Sequence, residues 1–303
     1  MKLATLRTGP GSTTAAVQLE AGAYLPLPAS DVGALLAVPE WRAQAEEAVS
    51  TAASTDVVRV PNADLAPVVP RPGKVVCCGL NYGDHIQEMG RELPEYPTLF
   101  AKFADTLAGP EDQLTVVGSE NVDWEAELAV VVGATLARAD EDQAEAAIAG
   151  YTVANDVSMR DWQRRTLQWF QGKAFDASTP LGPVLATADE FDGTGMEVRG
   201  YVNGELVQRG HTRTLVFGPA RLLSYVSQFT TLRPGDVVLT GTPGGVGMGM
   251  VPPHFLADGD VLSTEIDGIG RLTNLIRIRP ATGSREPAPA LSGTTTAGPA
   301  VRR

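Results

Sequence analysis

Short, mostly apolar segments separated by polar residues and Gly mark the first part of the chain. Residues 2–6, 15–19 and 23–27 are such segments, and they predict three strands. Ser30 and Asp31 precede a short predicted helix at residues 32–38, and a second helix is predicted to start at Pro39. The Pro- and Gly-containing segment 68–73 then breaks the regular pattern. We therefore predict a small N-terminal domain over residues 1–70.

From Lys74 onward the pattern changes to short β-branched or apolar runs separated by Gly and Pro. The predicted strands cover residues 75–78, 99–102, 128–132, 151–154, 184–187, 197–202, 237–240 and 261–266. Helical patterns are confined to residues 140–149, 158–168 and 218–228. This mixture favours a β-rich α+β fold over an alternating βαβ fold. We assign residues 71–280 to one domain and predict that residues 281–303, which have almost nothing to bury, form a disordered tail.

Composition and charge narrow the class of protein. Of the 303 residues, 43% are hydrophobic and 20% charged, which is typical of a packed globular chain. The net charge of −12 argues against nucleic acid and anionic membranes as partners. The adjacent Cys77 and Cys78 lack the second pair that a zinc site needs, and they fit a reducing compartment. Because no signal-like or membrane-spanning apolar stretch occurs, we predict a cytoplasmic protein that binds no membrane.

The first candidate functional residues are carboxylates next to predicted strands. Glu125 and Glu127 share a face, because successive side chains of a strand alternate. A solvated strand edge is one interpretation, but the chain runs on into the apolar segment 128–132, as a buried strand does. Asp156 ends the next strand-like run, where a turn or a helix cap is the alternative. Two like charges near a core need a cation or a raised pKa, and three carboxylates would suit Mg²⁺, Mn²⁺ or Ca²⁺.

The chain resembles the fumarylacetoacetate hydrolase family, whose members are metal-dependent C–C bond hydrolases, isomerases and decarboxylases. Five ordered motifs carry the resemblance, at residues 81–88, 123–128, 151–163, 171–176 and 240–247. The resemblance implies a mixed β-roll catalytic domain, preceded by a small N-terminal domain, in a homodimer. It also implies a small-molecule oxo-acid substrate.

Within that resemblance, Glu125, Glu127 and Asp156 match the positions that bind a divalent metal, Mg²⁺ or Mn²⁺ with Ca²⁺ as a further possibility. Some members of the family add an upstream aspartate, but none stands at the equivalent place near Cys78. The chain therefore resembles the three-carboxylate subtype, which includes acylpyruvases and 2-hydroxyhepta-2,4-diene-1,7-dioate isomerases.

The resemblance also implies three catalytic residues. His85 and Glu88 are three residues apart, so they share a face on a helical turn, and the family uses such a pair to activate water. Lys173 would stabilise developing enolate charge. A packed histidine and a solvated lysine at a strand end are the structural alternatives. The positions that match substrate-orienting residues are Arg160, Gln163 and Thr242.

These assignments predict a metal-dependent hydrolase of acylpyruvate-type 1,3-diketo acids. Water activated by the His85–Glu88 pair would attack the C4 carbonyl, and the C3–C4 bond would break to leave a pyruvate enolate. Oxaloacetate decarboxylation and 2-hydroxyhepta-2,4-diene-1,7-dioate isomerisation use the same motifs and remain open. A catalytically silent scaffold that binds metal and oxo acid is the alternative outside the enzymes.

Overall fold

A computed structural model describes residues 1–60, 62–83, 86 and 92–281 of the chain. The strands are β1 Lys2–Gly9, β2 Ser12–Glu20, β3 Ala23–Pro26, β4 Val58–Arg59, β5 Val75–Gly79, β6 Thr98–Lys102, β7 Leu107–Ala108, β8 Leu114–Val117, β9 Val122–Asp123, β10 Ala126–Val132, β11 Ile148–Asn155, β12 Ser158–Met159, β13 Thr179–Thr187, β14 Glu197–Val202, β15 Glu205–His211, β16 Val237–Leu239, β17 Val261–Ile266 and β18 Gly270–Arg279. The helices are α1 Val32–Leu36, α2 Trp41–Thr51, α3 Glu141–Ala146, α4 Arg160–Gln163, α5 Phe170–Lys173 and α6 Pro219–Ser227. Short 3-10 turns lie at Ala104–Thr106, Thr212–Thr214 and Gly247–Gly249.

Most of the described strands belong to one large mixed sheet. Its order is β4-β3-β2-β1-β13-β11-β10-β16-β5-β6, with β7 paired to β13. A second sheet has the order β15-β14-β17-β18-β8, and β12 pairs with β9. The neighbours β16–β5, β13–β7 and β18–β8 run parallel, whereas the other pairs are antiparallel. The prediction of a β-rich α+β fold is confirmed.

The centre of the large sheet is buried on both faces. Every residue of β10 and of β11 is buried, which explains the continuous apolar run after Glu127. The two strands pair antiparallel, with Ala126 opposite Asn155 and Glu127 opposite Ala154. The beginning of β10 therefore lies beside the end of β11, and this register positions the site described below.

The N-terminal strands extend the same sheet. Strand β1 pairs with β13, with Lys2 opposite Ala186 and Leu3 opposite Leu185. Leu3 is fully buried in one apolar cluster with Leu185, so sheet and core both continue across residue 70. The division into domains at that residue stays a prediction. The predicted tail lies outside the described residues except for Ala281.

Two predicted helices are shorter than the sequence pattern indicates. Helix α3 ends at Ala146, because Ile148 already begins β11 and pairs with Val132. The helix predicted at residues 158–168 is confined to α4, since Ser158 pairs with Asp123 in the β12–β9 ladder. The prediction at residues 218–228 is confirmed by α6, which Gly218 precedes.

The described helices are short. The longest, α2, has 11 residues, and in the described part of the chain no helix combines the length and the apolar character that crossing a membrane requires.

Candidate active site

The predicted carboxylates meet where β10 begins and β11 ends. The backbone N–H of Asp156 donates to the Glu125 carbonyl at 2.9 Å, and that of Glu125 donates to Asn155 Oδ1 at 3.0 Å. These bonds fix the two chain segments against each other. One carboxylate oxygen of each of Glu125, Glu127 and Asp156 lies within 4.8 Å of the others. The sequence prediction that these three acids converge agrees with the structure, and their role as metal ligands stays a prediction.

Three buried cations surround two of these carboxylates. Lys173 Nζ lies 2.8 Å from Glu125 Oε2 and 2.8 Å from Asp156 Oδ2. Arg160 Nη1 lies 2.7 Å from Glu125 Oε1. Lys102 Nζ lies 2.5 Å from Asp156 Oδ1, and both of these side chains are fully buried. Glu125 and Asp156 are therefore neutralised within the protein.

Glu127 differs from its two neighbours. It is 1% exposed, and within the described ranges no cation pairs with it. Its Oε2 accepts a hydrogen bond from the backbone N–H of Gly241 at 2.7 Å. Burial, reinforced by the charges of Asp156 and Glu125, raises the pKa of Glu127 well above its ordinary value. A buried carboxylate without a counter-ion, set among carboxylate oxygens, fits a hard divalent cation.

The same environment fixes the charges on Asp156 and Lys173. Burial opposes the charge on Asp156, but Lys102 and Lys173 outweigh it and lower the pKa of the carboxyl group. Burial likewise opposes the charge on Lys173, but Asp156 and Glu125 outweigh it and raise the pKa of the ammonium. Lys173 is therefore a fixed cation at neutral pH.

Arg160 and Gln163 face the same centre from helix α4. Arg160 Nη1 donates to Gln163 Oε1 at 3.0 Å, and Arg160 Nε donates to Asp123 Oδ2 at 2.8 Å. Asp123 in turn accepts backbone N–H donors from Gly247 at 2.7 Å and Met248 at 3.0 Å. Asp123 thus ties the guanidinium to the Gly-rich loop of residues 241–249.

Thr242 lies in that loop, next to the predicted carboxylates of β10. Its hydroxyl donates to the Ala126 carbonyl at 2.9 Å and accepts from Gln208 Nε2 at 2.8 Å. The hydroxyl proton is therefore already engaged by the backbone, so a bond from Thr242 to a substrate carboxylate would have to replace this one. Its assigned role stays a prediction.

Side chains of the candidate site border a cavity of about 550 Å³. Its polar wall includes residues already described: Glu125, Arg160, Gln163, Lys173 and Thr242. Apolar side chains form much of the remainder, among them Ile86, Phe100, Leu167, Trp169 and Val246. This size and mixed lining are typical of a small-molecule site.

The other two predicted catalytic residues, His85 and Glu88, lie outside the described residues. Ile86, which follows His85 in the sequence, is buried and lines the cavity. The water-activating role of the His85–Glu88 pair stays a prediction.

Sequence reasoning missed Lys102 and the bridging role of Asp123. Lys102 ends an apolar run, and a lysine at a strand end is ordinarily solvated. The sequence offered one indication of its burial. Lys102 lies in the predicted strand 99–102 of a domain that was already expected to bury three acids. Asp123 stands two residues before Glu125, at a strand position of the same parity, and this spacing was its signal.

Comparisons with known proteins place the chain and its fold in one family. Residues 74–277 match the family model described as fumarylacetoacetate (FAA) hydrolase C-terminal. The chain belongs to the fumarylacetoacetate hydrolase family.

Individual relatives within the family carry different activities in their names. The human mitochondrial oxaloacetate tautomerase FAHD2A is 48% identical over 216 residues, which cover 70% of this chain and 68% of the relative. The fumarylacetoacetate hydrolase of Exiguobacterium antarcticum superposes with a TM-score of 0.80 at 33% identity, covering 92% of this chain and 100% of that one. The 5-carboxymethyl-2-hydroxymuconate delta-isomerase of Mycobacterium smegmatis gives a TM-score of 0.74 at 31% identity, covering 92% and 99%. The predicted family and its fold are confirmed.

Proposed function

We propose that this protein is a divalent-metal-dependent tautomerase of oxaloacetate or a closely similar 2-oxo acid. The observation that carries the proposal is the position of Lys173 in the cavity wall. Its ammonium has three N–H donors, and two are directed to Glu125 and Asp156 at 2.8 Å. Phe100, whose ring centroid lies 5.1 Å from Nζ, also lines the cavity. No hydrogen bond to a described residue uses the third N–H, so it can donate to a ligand in the cavity.

Keto–enol exchange moves one proton and leaves the carbon skeleton unchanged. The C3–H bond breaks, its electron pair moves toward the C2 oxygen, and a proton is added to that oxygen. When bound by Glu125, Glu127 and Asp156, a divalent cation supplies Lewis-acid stabilisation of negative charge on oxygen. Lys173 stabilises the same developing charge through a hydrogen bond from a buried ammonium. The His85–Glu88 pair, which the family resemblance assigns to water activation, would here accept the C3 proton.

Two further features support an oxo-acid substrate. Arg160 is 2% exposed and lines the cavity, so it is a fixed cation for a substrate carboxylate. The relative with 48% identity is named as an oxaloacetate tautomerase.

Hydrolysis of an acylpyruvate is the second candidate, and the likeness to the Exiguobacterium antarcticum fumarylacetoacetate hydrolase favours it. It uses the same enolate-stabilising groups but also needs an activated water. Decarboxylation of oxaloacetate needs no water and would release pyruvate.

The three reactions are separated by their products. Purified protein with Mg²⁺ or Mn²⁺ is expected to accelerate enol-to-keto exchange of oxaloacetate without producing pyruvate faster than the metal ion alone does. Lys173→Met should slow this exchange by about 10²–10³-fold, the scale for loss of one charge-stabilising donor. Lys74→Met is the matched control, because Lys74 pairs with buried Asp236 at 3.2 Å and does not line the cavity. Pyruvate produced from oxaloacetate faster than by the metal ion alone, or cleavage of an acylpyruvate without accelerated exchange, would contradict the tautomerase proposal.

A further inference from the structure

Unpaired buried donors are concentrated at the cavity. Among the described residues, three buried side-chain atoms lack a hydrogen-bond partner: Tyr82 Oη, Arg160 Nη2 and Thr179 Oγ1. Tyr82 and Arg160 both line the cavity, whereas Thr179 is not part of its lining. Leaving a buried polar group unpaired destabilises the folded protein, so a ligand that pairs with these two atoms removes that penalty. Arg160 is already assigned to the site. The sequence motif at residues 81–88 contains Tyr82 but gives it no role.

The backbone at Tyr82 is anchored through Asn81 and through Tyr82 itself. The preceding Asn81 donates from Nδ2 to the Phe217 carbonyl at 2.9 Å and to the Thr240 carbonyl at 2.8 Å. Asn81 Oδ1 accepts the backbone N–H of Phe217 at 2.8 Å. Tyr82 itself forms an antiparallel bridge with Leu215. The position of the tyrosine is thus set before any ligand binds.

The aromatic ring is confined as well. A Cβ at Gly210 would lie 3.1 Å from Tyr82 Cε1 and 2.4 Å from Pro243 Cβ. The ring therefore occupies space that only a glycine at position 210 leaves open, next to the loop that holds Thr242. The side chain of Tyr82 is 2% exposed, so it is buried in this position.

The phenol acts as a donor at neutral pH. Burial and, secondarily, the charge of Glu127 raise the pKa of Tyr82, so the hydroxyl keeps its proton. The guanidinium of Arg160 can only donate. A ligand that pairs with both groups must present acceptor oxygens, and a carboxylate supplies them without bringing a donor of its own.

We propose that Tyr82 is a substrate-binding residue whose hydroxyl donates a hydrogen bond to a carboxylate oxygen of the bound substrate. This inference rests on the proposed function, since it takes the ligand to be a 2-oxo acid. Arg160 Nη2 supplies the second donor to that ligand. The two donors together favour acids with several carboxylate or carbonyl oxygens over monofunctional ones.

The test uses oxalate, which carries two adjacent carboxylates, as the probe in the presence of Mn²⁺. Titration calorimetry should show that Tyr82→Phe binds oxalate about tenfold or more weakly than the unmodified protein, the scale of one hydrogen bond to a charged group. Its melting temperature should not fall, because the hydroxyl has no partner to lose among the described residues. Tyr151→Phe is the matched control: Tyr151 is also buried, but its hydroxyl donates to the Asp192 carbonyl at 3.1 Å. That variant should bind oxalate normally and melt earlier.

The outcomes separate this inference from the proposed function. If the unmodified protein binds oxalate and Tyr82→Phe binds it equally well, the role of Tyr82 is wrong and the proposed function stands. If Tyr82→Phe melts earlier while binding is unchanged, the hydroxyl serves the fold and the inference is again overturned. If the unmodified protein neither binds oxalate nor accelerates enol–keto exchange of oxaloacetate, the proposed function fails and the inference fails with it. With oxaloacetate as substrate, Tyr82→Phe should raise KM more than it lowers kcat.

Discussion

Asp156 lies between two buried lysines, and this pairing makes Lys102 a residue on which the fold depends. Removing one partner of a buried ion pair leaves an uncompensated charge, which costs about 3–5 kcal/mol. Because Lys173 still faces Asp156 at 2.8 Å, we expect Lys102→Met to lower the free energy of unfolding by about 3 kcal/mol, near the lower end of that range. Urea denaturation of the metal-free protein measures it.

A surface pair provides the control for Lys102. Arg59 lies 2.8 Å from Glu20, with both side chains about two-thirds exposed. Arg59→Met should change the free energy of unfolding by less than about 1 kcal/mol. Equal effects of the two substitutions would show that Lys102 is not a structural counter-ion of Asp156.

Glu127 connects metal binding to pH. In the metal-free protein its pKa is raised by burial and by the charges of Asp156 and Glu125. A carboxyl group whose pKa is raised on folding stabilises the protein below its unfolded pKa, and this contribution is lost as the pH rises through the folded pKa. Asp156, whose pKa is lowered, affects the dependence of stability on pH only at acidic pH.

We therefore expect the metal-free protein to lose stability as the pH rises above the ordinary glutamate range. Glu127→Gln should remove this pH-dependent loss of stability. Added Mn²⁺ should bind more tightly as the pH rises, because the carboxylate must lose its proton to bind. Denaturation with a chelator at several pH values, and calorimetry in buffers of different ionisation enthalpy, measure the two effects. A metal affinity that does not change with pH would contradict this linkage.

At the scale of single residues, the sequence prediction agrees with the structure where an apolar run and the alternation of side chains along a strand point to the same position. Glu125, Glu127 and Asp156 were predictable, because two lie next to an apolar run and the third ends a neighbouring one. Lys102 was not, since its burial depends on Asp156, 54 residues away in the sequence. Local pattern places Lys102 in a predicted strand but does not identify Asp156 as its partner.

At the scale of elements, Lys173 depends on a close approach between helices α4 and α5. A Cβ at Gly172 would lie 2.5 Å from Gln163 Cβ and 2.5 Å from the Met159 carbonyl oxygen. We expect Gly172→Ala to separate the two helices, displace Lys173 from Glu125 and Asp156, and lower both stability and catalytic rate. Thermal denaturation and an oxaloacetate exchange assay measure the two losses.

Gly195 is the matched control for Gly172, because a Cβ there would meet nothing within 4 Å. Gly195→Ala should leave both measurements unchanged. If Gly172→Ala behaves like Gly195→Ala, the packing of α5 on α4 does not position Lys173.

The elements that sequence predicted incorrectly are those that tertiary pairing decides. Residues 147–149 have helical propensity, yet Ile148 pairs with Val132 in the centre of the sheet. Ser158 and Met159 fit the start of a helix, but their backbones pair with Asp123 and Val122. In both cases hydrogen bonds to a distant strand outweigh a propensity difference of less than about 1 kcal/mol per residue.

At the scale of the whole molecule, the short apolar segments in β1, β2 and β3 predicted strands but not the position of those strands in the sheet. They continue the sheet that carries Glu127, because β1 pairs with β13. The pairing of residues near position 2 with residues near position 186 is set by the fold as a whole. A change of composition near residue 70 signals a boundary in the sequence even where the sheet is continuous.

This continuity predicts a single unfolding transition for the chain. One apolar cluster contains Leu3 and Leu35 from the N-terminal part together with Val131 and Leu185 from the rest. Leu35→Ala and Val131→Ala should therefore each lower the midpoint of the same transition, with losses of about 1–4 kcal/mol for removing buried side-chain atoms. Scanning calorimetry should give equal calorimetric and van't Hoff enthalpies for each protein.

The control for these core substitutions is Leu19→Ala, because Leu19 is 43% exposed and its loss should change the midpoint little. The opposite result has a clear signature. If Leu35→Ala produces a separate early transition while Val131→Ala shifts only the later one, residues 1–70 unfold as an independent domain. The cavity beside Lys173 would then not depend on them for stability, because the residues that line it all follow position 70. A single shared transition would mean that strands far from the cavity stabilise the part of the fold that forms it.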